Sequence, residues 1–176
     1  VAARRSASAL ATHYRVRAQK LFERLSLSHL ISAAPESLIA SVEQDTLAMP
    51  EVAERNARLR ADEPLRVKLG FIVARLEALE LRLAGEESEH AYEGPAGLLA
   101  DLERVQETVV SARAEQAQRT LLEPFIDQVR SQGFAGFFLD IREDAQVHTD
   151  TLQSITDSLH MDPLGPKAIA AELMGR

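Results

Sequence analysis

The sequence contains no cysteine and no tryptophan, and only 5% of its 176 residues are aromatic. The lack of cysteine excludes disulfide bonds, thiolate nucleophiles and cysteine-ligated zinc, and it fits a reducing compartment. The few aromatic residues, together with abundant alanine, leucine, glutamate and arginine, favour helices over sheets. No apolar run approaches the roughly 18 residues of a membrane-spanning helix, so no membrane partner is expected.

Basic residues are also scarce relative to acidic ones, and the formal net charge is −7. Such a chain has no excess of lysine and arginine to neutralise a phosphate polymer, so nucleic acid is not an expected partner. The net charge does not bear on a small anion bound in a local pocket. A hydrophobic content of 45% suffices for a buried core, and the length fits one domain or a piece of one.

Apolar residues at helical spacing predict a mainly α fold, an array of about six to seven helices. The long helices are predicted over about 4–24, 35–48, 64–84, 95–112, 118–131 and 143–159, with a short charged helix ending near 60. The second presents as its apolar face Leu38, Ile39, Val42 and Leu47. Pro64 fits a helix start and Gly85 a helix end, and the glycine-, proline- and acid-rich stretch 85–95 is predicted to be a loop.

The segment 134–142 departs from the helical pattern. Phe137, Phe138 and Leu139 form an apolar run without helical spacing, so we predict one short β-strand here. A buried strand that leads directly into a helix is typical of parallel sheets and barrels. No second convincing strand is present to satisfy its backbone groups. We therefore expect residues 1–176 to be a single helical fragment of a larger protein.

Arg142 lies where this strand would end and the next helix would begin. Ligands collect at that end of the strands in barrels and open parallel sheets. A guanidinium there can bind phosphate or carboxylate through two parallel hydrogen bonds, which makes Arg142 a candidate anion-binding residue. The alternative is a salt bridge of Arg142 with Asp140, Glu143 or Asp144, which would add little stability.

His148 follows Asp144 by four residues, so the two side chains can share one helix face and could be two metal ligands. Such pairs also arise by chance in helices, and a structural hydrogen bond is the favoured alternative. The remaining histidines show no spacing that would bring them together in one site. They are His13, His29, His90 and His160. The sequence has no nucleophile elbow, phosphate-binding glycine loop or zinc-protease motif.

The segment 134–156 resembles one in the phosphoenolpyruvate carboxylase family. In that family an apolar run is followed by Asp-Ile-Arg-Gln-Glu-Ser and, two residues later, by His-Thr. The residues that match this pattern are Asp140, Ile141, Arg142, His148 and Thr149. The Asp-Ile-Arg block is the most specific part of the resemblance.

Two upstream blocks are similar to the same family. Glu63, Pro64 and Arg66 match a Glu-Pro-Tyr-Arg helix start, with Leu65 in place of the tyrosine. The stretch 92–109 is similar to a loop followed by a Leu-Leu-x-Asp-Leu helix. The order and spacing of all three blocks agree, so the resemblance covers most of the chain.

The resemblance implies a β-barrel embedded in many helices, and an enzyme that carboxylates phosphoenolpyruvate with bicarbonate to give oxaloacetate and phosphate. It also implies magnesium or manganese as cofactor, a cytoplasmic location and a homo-tetramer. Arg142 is implied to lie in the active site, near the phosphate of the substrate or of the carboxyphosphate intermediate. The family's catalytic histidine, His-Gly-Arg-Gly-Gly loop and metal-binding carboxylates have no counterpart here, so the fragment alone is expected to be inactive.

The sequence also departs from the family pattern. Glu143, Asp144 and Ala145 stand where Gln-Glu-Ser is usual, and Val147 replaces an arginine. The added negative charge of Glu143 is expected to weaken the hold of Arg142 on an anion. The alternative interpretation is a stand-alone helical interaction or regulatory protein without catalysis.

Overall fold

The computed structural model describes residues 2–25, 34–60 and 63–136, together with Asp150, Ser154 and Asp157. Its elements are α1 (Ala2–Arg24), α2 (Glu36–Ala48), α3 (Pro50–Arg60), α4 (Pro64–Ala84), α5 (Pro95–Ser111), α6 (Glu115–Ala117), a π-helical turn (Gln118–Leu122) and α7 (Glu123–Gln132). The chain divides into two compact units, Val1–Phe137 and Phe138–Arg176. The three described residues of the second unit are helical. All regular structure in these ranges is helical, which confirms the prediction of a mainly α fold.

Helix α4 is the central element of the first unit and packs against α1, α2, α3 and α5. Its apolar residues at helical spacing face inward: Leu65, Leu69, Ile72, Leu76 and Leu79 are buried, and Leu83 is partly buried. Burying one such side chain is worth roughly 1.5–3 kcal/mol, so this stripe is a major source of stability. None of the described helices is both long and apolar enough to cross a membrane.

Most of the rest of the core comes from one face each of α1, α5 and α7. The buried side chains on these faces are Tyr14, Ala18, Leu21, Leu98, Leu102, Val105, Val109, Phe125, Ile126 and Val129. They form one continuous apolar cluster with the stripe of α4. The predicted helix over 95–112 is therefore confirmed with its apolar face inward.

Helix α2 buries a different face from the one that its apolar residues predict. Leu38 is fully buried, but Ile39 is 37% and Leu47 is 85% exposed, so that part of the prediction is wrong. Asp45, seven residues after Leu38, is buried instead. The reason is electrostatic: Asp45 pairs with Lys68 of α4, and leaving that interior charge unpaired would cost more than exposing one leucine.

The ends of α4 follow the sequence signals. Pro64 occupies the first turn, where a missing N–H costs nothing. Gly85 ends the helix in the left-handed conformation with φ of 99°, and its N–H donates to the carbonyls of Leu81 and Arg82. A side chain at that φ would be strained, which explains the glycine. The stretch that follows, up to Gly94, is the predicted loop.

The helix predicted over 118–131 is longer and is interrupted. Helical structure begins at Glu115, widens into the π-helical turn and continues as α7. Pro124 stands in the first turn of α7, directly after the wide turn. A proline ring clashes with the carbonyl four residues earlier in a regular helix, and a wider turn relieves that clash.

The predicted strand does not begin at Phe134. Residues 133–136 form a turn at the end of α7, in which the N–H of Gly136 donates to the carbonyl of Gln132 at 3.0 Å. Gly133 and Gly136 have positive φ angles of 54° and 88°, so the two glycines end the helix in a turn rather than start a strand. Residues 137–142 of the predicted strand lie outside the described residues.

Candidate functional site

Arg142, the predicted anion-binding residue, lies outside the described residues, and so do Asp144 and His148 of the alternative metal pair. Both predictions therefore remain predictions. Within the part of the chain that the structure describes, no three His, Asp or Glu side chains converge to hold a metal ion.

The histidines that the structure describes are surface residues. His13 lies on α1 with its Nε2 3.1 Å from Oε1 of Gln128. His90 is exposed in the loop after α4 and has a positive φ of 64°. His29 and His160 lie outside the described residues. No described histidine has the setting of a catalytic base.

The turn that precedes Arg142 in the sequence is anchored on α1. The hydroxyl of Tyr14, a fully buried residue, donates to the carbonyl of Gly133 at 2.8 Å. The hydroxyl of Ser6 donates to the carbonyl of Ala135 at 3.3 Å. These two bonds fix the end of the first unit against its first helix.

The Glu-Pro-x-Arg block at the start of α4 has a structural role in the first unit. The guanidinium of Arg66 donates from Nε to the carbonyl of Phe22 at 2.9 Å and from Nη2 to that of Glu23 at 3.2 Å. These carbonyls belong to the last turn of α1, which has no further helical donors for them. A cation there also interacts favourably with the helix dipole, so Arg66 caps α1.

A buried ionic cluster joins α2, α4 and α5. The ammonium of Lys68 lies 2.6 Å from Oδ2 of Asp45 and 2.7 Å from Oδ1 of Asp101. Only 1% of the Lys68 side chain is exposed. A cation so far from water needs close partners to offset its lost hydration, and the two carboxylates provide them.

Arg75 and Tyr92 extend this cluster. Nη2 of Arg75 donates to Oδ1 of Asp45 at 2.6 Å, and the hydroxyl of Tyr92 donates to Oδ2 of Asp101 at 2.7 Å. Burial lowers the pKa of Arg75, but the hydrogen bond and charge of Asp45 outweigh burial and the pKa is raised. Burial, together with the adjacent charge of Asp101, raises the pKa of Tyr92 well above its ordinary value.

The cluster forms one wall of a cleft of about 710 Å³, which we call the polar cleft. Its lining comes from α2, α4, the loop after α4 and the start of α5. The charged side chains that line it are Asp45, Lys68, Arg75, Arg82, Glu93, Asp101 and Arg104. Four basic and three acidic side chains therefore converge on this concave surface.

Sequence reasoning missed this cluster, although one signal was present. Lys68 interrupts the apolar stripe of α4, three residues after Leu65 and four before Ile72. A lysine on a core face predicts a buried partner, because an unpaired ammonium is not tolerated there. Nothing in the sequence marked Asp45 and Asp101 as those partners, since they lie on other helices.

Comparison with known proteins identifies the family. The family model described as phosphoenolpyruvate carboxylase matches residues 1–164. A phosphoenolpyruvate carboxylase from Parasynechococcus marenigrum is 31% identical over 87% of this chain and 17% of its own length. One from Gloeobacter violaceus is 32% identical over 72% of this chain and 15% of its own length.

The chain thus spans about one sixth of the length of the curated relatives that it matches. The match takes in all of the described helices and the segment around Arg142. A match of that extent cannot come from one shared motif. The chain belongs to the phosphoenolpyruvate carboxylase family.

Proposed function

We propose that this chain is part of a phosphoenolpyruvate carboxylase, and that the whole protein converts phosphoenolpyruvate and bicarbonate into oxaloacetate and phosphate. The observation that carries the proposal is the family match over residues 1–164, together with relatives that are named for this activity. The alternative of a stand-alone interaction protein is disfavoured, because a chance local likeness would not extend over nearly the whole chain.

Arg142 is proposed as the residue of this chain that acts in the reaction. Its guanidinium would bind the phosphate of the substrate or of the carboxyphosphate intermediate through paired hydrogen bonds. A fixed cation at that place stabilises the charge that develops while the phosphoryl group passes to bicarbonate. Glu143 adjoins it in the sequence and would weaken, but not abolish, this attraction.

The finer properties of the whole enzyme are also proposals. They are a magnesium or manganese cofactor, a cytoplasmic location and a homo-tetramer, with the phosphate-binding arginine as this chain's contribution to the active site. The described residues offer no set of ligands for the metal, so its ligands are proposed to come from elsewhere in the enzyme.

The 176 residues alone are proposed to be inactive. One arginine near the reacting phosphate does not make an active site, because the reaction also needs a metal site and a proton-transferring group. Formation of oxaloacetate from phosphoenolpyruvate by the isolated chain, dependent on bicarbonate, would overturn this proposal.

The test uses the natural gene product that carries these residues, at whatever length it is made. We expect it to form oxaloacetate from phosphoenolpyruvate only when bicarbonate is present. Replacing Arg142 by glutamine is expected to lower kcat/KM about 100-fold or more, the usual effect of removing one group that stabilises transition-state charge. Replacement by lysine keeps the charge but loses the paired geometry, and should recover only part of the activity.

Arg119→Gln is the matched control. Arg119 is 74% exposed and its nearest carboxylate, on Glu115, is 3.8 Å away, so its loss should leave kcat/KM within about twofold. A gene product without carboxylase activity would contradict the proposed function. An Arg142→Gln enzyme as active as the Arg119→Gln enzyme would contradict only the role of Arg142.

A further inference from the structure

We propose that the polar cleft binds a small oxyanion of the phosphate type through its own basic side chains. The inference depends on charge, hydrogen-bonding capacity and shape within the first unit. It does not depend on the carboxylase activity proposed above.

The charged lining of the cleft favours an anion. Four cationic side chains line the cleft, Lys68, Arg75, Arg82 and Arg104, against the acidic side chains of Asp45, Glu93 and Asp101. The cleft therefore carries a positive surplus in a chain whose formal net charge is −7. A concave surface with one excess sign of charge concentrates the opposite ion, since its low-dielectric walls focus the field.

The guanidinium groups of the cleft also have N–H donors that make no hydrogen bond within the described structure. Each guanidinium has five N–H donors. Arg104 makes a single long contact of 3.4 Å to Asp101, and Arg82 donates to the carbonyl of Tyr92. The Nε of Arg75 is shielded from solvent and has no hydrogen-bond partner within the described structure. A phosphate group offers the several acceptors that such donors need.

Two of the cations, Lys68 and Arg75, are held in place by carboxylates without any ligand. Asp45 fixes Arg75 and Lys68, while Asp101 fixes Lys68 and Tyr92. The Tyr92 ring lies 5.7 Å from the guanidinium carbon of Arg75 and restricts it further. Cations that are already ordered lose less entropy when they bind an anion, so the two buried carboxylates also organise the site.

The cleft has room for such a ligand. Its volume of about 710 Å³ lies in the range typical of small-molecule sites. The lining also includes Gly94 and Gly97 at the start of α5. Neither carries a side chain, and a methyl group at Gly97 would lie only 3.1 Å from the Tyr92 ring.

The experiment is isothermal titration calorimetry of the natural gene product with inorganic phosphate, at ionic strength matched with chloride. It is run in the Arg142→Gln background, which removes the proposed active-site arginine. We expect saturable binding of about one phosphate per chain. The double variant Arg82→Gln/Arg104→Gln, in the same background, is expected to lower that affinity at least tenfold. Circular dichroism must show unchanged helix content.

Arg119→Gln combined with Arg130→Gln is the control for lost positive charge, because both arginines are exposed and neither lines the cleft. This pair should leave the affinity unchanged. Absence of saturable phosphate binding in the Arg142→Gln background would overturn the proposal. So would binding that the cleft variant and the control variant weaken equally. Neither result would bear on carboxylase activity, which is measured separately.

Discussion

Lys68 of α4 and Asp45 of α2 form an ion pair in the interior, with 2.6 Å between Nζ and Oδ2 and with 1% and 6% of their side chains exposed. The pair decides which face of α2 turns inward, at the expense of exposing Leu47. It also places two charged groups in the wall of the polar cleft. Stability, helix orientation and the chemistry of the cleft therefore depend on the same contact.

Removing the ammonium of Lys68 should destabilise the fold strongly. Lys68→Met keeps most of the side-chain volume but removes the positive charge that offsets the buried carboxylates of Asp45 and Asp101. Breaking a buried ion pair costs about 3–5 kcal/mol. Equilibrium unfolding in urea measures the loss. The double variant Lys68→Met/Asp101→Asn should lose less than the sum of the two single variants, because the residues interact directly. A loss below about 1 kcal/mol for Lys68→Met would contradict this prediction, because the pair would then contribute no more than a surface salt bridge.

The two tyrosines of the chain are expected to resist ionisation. The chain has only Tyr14 and Tyr92, and burial raises the pKa of both, that of Tyr92 most strongly. An ordinary tyrosine is half ionised at a pH of about 10. We expect the native chain to show much less tyrosinate absorbance at that pH than the chain unfolded in urea. Equal absorbance in the two states would contradict the burial of both hydroxyls.

The same shifts make stability dependent on alkaline pH. A tyrosine whose folded pKa is raised keeps its full contribution below its unfolded pKa of about 10, and loses it as the pH rises toward the folded value. The free energy of unfolding should therefore fall above a pH of about 10. Tyr92→Phe is expected to be less stable at neutral pH, because Asp101 loses a donor, but to show a shallower alkaline decline. Parallel pH profiles for the two proteins would argue against this cause.

Gly70 marks a close approach of α3 to α4. A methyl group at this position would lie 2.6 Å from the side-chain oxygen and nitrogen of Asn56, which is itself 5% exposed. We expect Gly70→Ala to destabilise the fold by about 1–3 kcal/mol through overpacking, despite the higher helix propensity of alanine. Urea unfolding measures this loss.

Asn56→Ala supplies the control, because it removes the obstructing side chain. In the double variant Gly70→Ala/Asn56→Ala the added methyl group has space, so its cost should largely disappear. If Gly70→Ala costs as much in the Asn56→Ala background as in the natural chain, overpacking against Asn56 is not the cause.

The hydroxyl of Tyr14 is expected to contribute to stability through its bond to Gly133. Tyr14→Phe removes one hydrogen bond of 2.8 Å and keeps the buried ring. The expected loss is about 1 kcal/mol, in the usual range for one neutral hydrogen bond. Hydrogen exchange at residues 133–136 should accelerate in this variant more than exchange in the middle of α4. Uniform acceleration would indicate a general loss of packing instead.

Much of the helical architecture follows from local sequence. The start of α4 at Pro64 and its end at Gly85 depend on a missing N–H and a permitted positive φ, which are properties of single residues. The apolar stripe of α4 is equally local, because it needs only residues three and four apart. The family likewise could be recognised from Asp140, Ile141 and Arg142, since a motif is a property of sequence.

The tertiary structure alone decided the rest. In it Leu47 faces outward and Asp45 inward, because the buried ammonium of Lys68 on another helix requires a carboxylate partner. Helical spacing within α2 does not predict that contact. The tertiary structure anchored the turn of residues 133–136 on α1 through the hydroxyls of Tyr14 and Ser6. It also assembled Asp45, Lys68 and Asp101 from three helices into the wall of the polar cleft. The sequence determined where the helices begin and end, whereas the balance of buried charge determined which side chains meet, because that balance depends on residues far apart in the chain.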